Sequence, residues 1–233
     1  MPSDNLSGTD FAELILEAEF HSGFVSFYEY LETMVFFLEN ESKTQNERIS
    51  VIYEKIRSGK ISSQYDPHQI PPELNDQLFR LQSISEFENI LFDSFFVALY
   101  FHLESELIRH CRYLEKQYPT GLSLTDIVGN GVQRAIAYLV KVHHLEISLE
   151  KNSEWEKIQN DNYLRNCIVH NQGRVDDGFE KSQREKLLKF IQRSNSKLQF
   201  SDTWCVLNKD FCLVAIETIE QFLHSVVFAK TKK

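Results

Sequence analysis

The chain has 233 residues, a formal net charge of −9 at neutral pH, 42% hydrophobic residues and eighteen Phe. That is ample for a sizeable core in one large domain or two small ones. No run of eighteen apolar residues occurs, which excludes a membrane-spanning helix. The acidic balance means that any nucleic-acid contact has to use a local basic patch, a basic partner or a dimer groove.

The N-terminus, "MPSDNLSGTD", has no basic stretch followed by an apolar one, so it does not read as a signal peptide, and a cytoplasmic protein is expected. Residues 10–40 carry helical periodicity, with Asp10 as the expected N-cap. Residues 45–59 continue as a second, shorter amphipathic helix stopping at Gly59, so an N-terminal helical hairpin is expected. Residues 60–76 hold three of the five prolines and read as a loop.

The strongest helical signal follows at 84–118, apolar almost all round in its first half, which marks a central helix ended by Pro119 and Gly121. A short helix or turn is expected at 123–129, then helices at 131–147 and 153–173. Ser153 and Glu156 fit a capping box, and Gly173 follows the last turn. After a helix near 179–193, "LQF" and "WCVL" can pair as a small hairpin, and 211–230 is a closing apolar-rich helix. The fold class is therefore all-α, a bundle with one minor β insert.

Most chemical constellations are weak. Cys111, Cys167, Cys205 and Cys212 form no CxxC pair and read as buried reduced thiols. Glu17/His21, Glu106/His110 and Glu220/His224 each share a helix face, but no histidine follows a glutamate by three, the spacing of helical di-iron sites. No metal and no cofactor are expected. His143 and His144, adjacent on a helix, point about 100° apart and do not chelate together. There is no GxGxxG, no Walker-type GKS or GKT and no GxSxG elbow, and "GNG" at 129–131 reads as a helix boundary. Residues 173–197 hold seven basic residues against Asp176, Asp177, Glu180 and Glu185, more in keeping with a solvated helix face than with a binding patch.

What remains is "YLRNCIVHNQG", Tyr163–Gly173. It puts Arg165, Asn166 and His170 late in one helix of an otherwise apolar bundle, where burying such groups without partners is costly. Asn166 and His170, four apart, share a face, with Gln159, Asn162 and Tyr163 close to the same stripe. Arg165 lies about 140° around and about 7.5 Å along the helix from His170, so the two are not stacked neighbours, although a long arginine can reach the same spot. In the last turn, free carbonyls favour an imidazolium and a guanidinium opposes it, a setting suited to acid–base chemistry. A satisfied structural contact is the alternative reading of the same residues.

"RNCIVH" resembles the signature of the HEPN superfamily, R-x-x-x-x-H with Asn commonly after the Arg, late in a helix of a four- or five-helix bundle. The longer context "FFVALYFHLESELIRHCRYL … LRNCIVHNQG" is similar to uncharacterised bacterial HEPN-type proteins over roughly 84–230. The resemblance implies an HEPN-like bundle over 76–233, with residues 1–75 as an N-terminal helical extension that it does not explain. Core packing is the default role for the aromatic-rich "FVSFYEYLETMVFF", ahead of a dimerisation arm, a cover over a groove or a surface for a neutralising partner.

The resemblance further implies a metal-independent endoribonuclease, acting as a toxin or as an antiviral or abortive-infection effector. Arg165, Asn166 and His170 would be catalytic, and a homodimer would supply the second set of residues. RNA is the implied substrate and an antitoxin or defence-complex protein a possible partner. Gln172 stands where related toxins often carry a tyrosine, which speaks against control by tyrosine nucleotidylation. The rival reading is a non-catalytic HEPN scaffold in a defence or stress complex, and a helical metal oxidase is a third.

Overall fold

The computed structural model describes residues 8–59, 71–174, 199–201 and 204–230, together with Glu185 and Lys189. Its long helices are α1 (Gly8–Arg57), α2 (Pro72–Gln117), α3 (Gly131–Lys141), α4 (Ser153–Asn171) and α5 (Lys209–Val227). Short 3₁₀ turns at Leu124–Asp126 and Leu149–Lys151 flank α3. The expected hairpin is present. Strand β1 (Gln199–Ser201) runs antiparallel to β2 (Trp204–Val206), with Phe200 opposite Cys205. Among the described residues the architecture is all-α with this one β insert. The helix expected near 179–193 lies outside the described residues, except that Glu185 and Lys189 have helical backbone.

The N-terminal half differs from the expected hairpin. α1 is continuous through 41–44, and Asp10 lies within the helix rather than capping it. No Gly or Pro interrupts this stretch, and its polar residues bond back along the helix: Thr44 Oγ1 donates to the Asn40 carbonyl at 2.9 Å and Ser50 Oγ to Asn46 at 2.9 Å. α2 begins at Pro72, well before residue 84. Pro72 at the first helical position and Glu73 in the first turn are start signals that the proline-rich context obscured.

α2 is the central helix. Leu91, Phe92, Phe95, Phe96, Leu99, Tyr100, Leu103 and Leu107 are all buried on it, and α1, α3, α4 and α5 pack around them. α1 runs antiparallel to α2, with Phe27 edge-on to Phe95 at 5.7 Å and Phe24 edge-on to His102 at 5.2 Å. α5 packs on α1 through Phe20, His224 and Phe228, and on α2 through Phe96 and Phe211. Trp155 of α4 stacks on Phe222 of α5 at 5.3 Å. Phe20, Phe24, Leu31 and Val35 of α1 thus belong to the same core cluster as α2–α5. A fully buried leucine such as Leu99 or Leu103 contributes roughly 2 kcal/mol through apolar area alone.

Two further expectations are corrected at helix ends. α3 stops at Lys141, so His143 and His144 are not on one helix. His143 is buried edge-on to Tyr138, and His144 takes a left-handed conformation with φ 51°. α4 is capped by Asn152 rather than by a Ser153–Glu156 box: Asn152 Oδ1 accepts from the Trp155 N–H at 2.6 Å, while Ser153 Oγ donates to Glu154. α4 ends as expected, with Gln172 at φ 53° and Gly173 at φ 77°, the latter N–H reaching the Cys167 carbonyl. Among the described residues, no helix is long and apolar enough to cross a membrane.

Candidate functional site

Asn162, Arg165 and Asn166 fall on the side of α4 that faces Tyr100–Glu104 of α2. Arg165 is half-buried, and its guanidinium lies over the Phe101 ring, 5.1 Å from the centroid. Its Nη1 donates to Asn166 Oδ1 at 3.0 Å. The planar cation is thus held by a ring on one side and an amide oxygen on the other.

Arg165 and Asn166 line a cavity of about 520 Å³ between α2, α4 and the start of α3. Tyr100 and Glu104 form the α2 wall, Asn162 joins the α4 wall, and Asn130 to Gln133 form the third side. The Tyr100 hydroxyl is committed to the Ile158 carbonyl at 2.8 Å, and burial pushes its ionisation well above the ordinary phenol range. Asp161 is buried one turn before Arg165, and burial lifts its carboxyl to about 7, with Lys157 opposing.

His170 is placed differently. It sits exposed in the last turn of α4 beside exposed Val169, and it does not line the cavity with Arg165 and Asn166. One chain therefore brings two of the three motif residues together and presents the third to solvent. Glu104, Asn130, Gly131 and Gln133 were not singled out as site residues in the sequence. The available signals were the four-residue spacing of Tyr100 and Glu104 on α2, and "GNG", which is the entry to α3.

The other histidines serve packing and cross-helix contacts. His21 Nδ1 lies 2.9 Å from Glu220 Oε1 and ties α1 to α5. Glu106 pairs with Arg109 rather than with His110. His110 is pushed down to about 4 by burial, with His143 and Arg109 adding to the effect. Among the described residues, no three His, Cys, Asp or Glu side chains converge as a metal-holding group. All four cysteines are buried, burial pushes the Cys111 and Cys205 thiols up to about 12, and Cys167 donates to the Arg174 carbonyl at 3.2 Å.

Of the basic run, Arg174 lies over the Trp204 ring at the hairpin and Lys189 is exposed. Lys181, Arg184, Lys186, Arg193 and Lys197 lie outside the described residues.

No family model, curated protein or solved structure matches the chain.

Proposed function

We propose that this chain is a metal-independent endoribonuclease of HEPN type, acting as a toxin or as an antiviral or abortive-infection effector. The observation that carries the reading is the Arg165–Asn166 pair, held half-buried at a polar cavity, with exposed His170 one turn further along the same helix. In this mechanism the RNA 2′-oxygen attacks the adjacent phosphorus, the bond to the 5′-oxygen breaks, and a 2′,3′-cyclic phosphate and a 5′-hydroxyl result. One histidine takes the 2′-OH proton and another protonates the leaving oxygen. Arg165 neutralises charge growing on the phosphoryl oxygens, and Asn166 holds Arg165 in register.

Cleavage asks for an acid and a base, and one chain offers one such histidine. A homodimer supplies the second. Exposed apolar side chains support an α2–α4 contact face: Phe87, Ile90 and Phe101 recur on one stripe of α2, and Val169 adjoins His170 on α4. Such a face explains why large apolar groups flank the polar residues, and it draws two guanidinium sets into one groove of an acidic protein.

The test is cleavage of a mixed-sequence RNA by purified protein in excess chelator. Wild type is expected to leave cyclic-phosphate ends, and His170→Ala to lose at least about 100-fold in rate and to relieve growth arrest on expression. A protein that binds partners but leaves RNA intact, harmless in both forms, is the scaffold of the rival reading.

A further inference from the structure

The cavity beside Arg165 has a wall that the cleavage chemistry does not use. Glu104 is half-buried on α2, with both carboxylate oxygens turned to the start of α3. A Cβ on Gly131 would stand 3.2 Å from Oε2 and 3.3 Å from Oε1, and Gly131 itself has φ 52°. Glycine takes this left-handed conformation without strain and leaves room for the carboxylate to come close.

Three other carboxylates on the helices are paired. Glu32 holds Lys209, Glu106 holds Arg109 and Glu220 holds His21. Among the described residues Glu104 has neither an ion pair nor a hydrogen bond, although Arg165 lines the same cavity. Opposite it, the Asn166 amide has a defined sense. Its oxygen accepts from Arg165, so its NH₂ is the end left for a ligand. Asn162 and Gln133 add two further amides, and Asn130 at the start of α3 makes no side-chain capping bond.

We propose that this cavity is a guanine-binding subsite, with Glu104 accepting from N1–H and N2–H₂ of the base and the Asn166 and Asn162 amides donating to O6 and N7. The inference rests on the endoribonuclease reading for its place in catalysis. A carboxylate offers two acceptors side by side and no donor. Guanine is the RNA base that presents two adjacent donors on its pairing edge. Adenine and cytosine set one donor beside an acceptor, and uracil sets one donor between two acceptors. A phosphate is repelled by Glu104, so a nucleotide enters base towards α2 and phosphate towards Arg165. The volume of about 520 Å³ suits a purine nucleotide. The subsite would place a guanosine next to the bond that is cut.

The test is calorimetric titration of the full-length protein with GMP, AMP, CMP and UMP, with no cleavage required. GMP is expected to bind at least tenfold more tightly than the other three, and Glu104→Gln is expected to abolish that preference while the folded spectrum is kept. Asn162→Ala is expected to weaken GMP at least threefold as a second, independent variant. Equal binding of all four nucleotides, no binding of GMP, or a preference unchanged in Glu104→Gln overturns the proposal. The two readings fail separately. Glu104-dependent GMP binding by a protein that never cuts RNA leaves the subsite standing and removes the nuclease. Cleavage that requires Arg165 and His170, with no GMP binding and no preference at the cut, removes the subsite alone.

Discussion

Arg165 and Asn166 are neighbours in sequence and joined through their side chains, Nη1 to Oδ1 at 3.0 Å, with the guanidinium also seated over Phe101. Both contacts depend on the planar fork of arginine. A lysine keeps the charge but neither stacks on Phe101 nor reaches the amide and a ligand together. Arg165→Lys and Arg165→Ala are both expected to lower RNA cleavage at least about 100-fold. Stability should change by about 1 kcal/mol or less, since the arginine is only half-buried. Cleavage rates beside urea midpoints check this, and full activity in the lysine variant would contradict the assigned role.

Phe24 of α1 is 1% exposed and packed against α2, whereas Phe37 on the same helix is 56% exposed. Phe24→Ala is expected to cost about 3–5 kcal/mol of global stability, and Phe37→Ala to stay within about 0.5 kcal/mol. Chemical denaturation followed through the fluorescence of Trp155, on α4, and Trp204, on β2, reads this directly. An α1 that merely decorated an independent bundle would leave that midpoint unchanged.

His110 and Asp161 give stability opposite slopes with pH. Burial holds His110 at about 4 against an ordinary 6.5, so below about pH 6.5 the unfolded chain takes the proton first. Stability present above that pH is lost as it falls toward about 4, by on the order of 3 kcal/mol. His110→Leu is expected to flatten the profile between pH 6.5 and 4, read from urea midpoints across that window.

Asp161 acts the other way. Its folded carboxyl is lifted from 3.8 to about 7, so the folded state holds the proton more tightly. Its contribution is fully present below pH 3.8 and is lost as pH rises to about 7. Asp161→Asn is expected to stabilise the protein above that range by at least about 1 kcal/mol, about 2–4 °C in melting temperature. No gain at pH 8 would mean that the ionised carboxylate is stabilised by its surroundings.

A Cβ on Gly131, at φ 52°, would stand 3.2 Å from the Glu104 carboxylate, close enough that the side chain has to shift by a few tenths of an ångström. Gly131→Ala is expected to cost about 1–2 kcal/mol from backbone strain and to push Glu104 from its place. A thermal melt measures the first effect and loss of GMP preference the second.

Much of the bundle was legible because apolar periodicity is a local property. α2's buried stripe, the end of α4 at Gly173, the β1–β2 pair and the closing helix α5 all follow from residue spacing and turn residues. The misreadings fall where local signals compete. Two helices, 10–40 and 45–59, are expected where one runs through, and Thr44 and Ser50 return their hydroxyls to it. Prolines at 71 and 72 suggested a loop where Pro72 in fact opens α2. The histidine pair at 143 and 144 was read inside a helix that had already ended.

By itself the sequence determined that the chain is helical, which helix is central, and that Arg165, Asn166 and His170 share the end of one helix. These follow from spacing along a cylinder of known pitch. Tertiary structure alone decided what those residues face. Glu104, sixty-odd positions earlier, meets Gly131 and lies in the same cavity as Arg165 only because α2, α3 and α4 pack on one core. Phe101 supports the guanidinium for the same reason, and His170 is left exposed because it lies off the side of α4 that carries buried Leu164, Cys167 and Ile168. Contacts between helices depend on how whole apolar faces dock, and no local pattern carries that information.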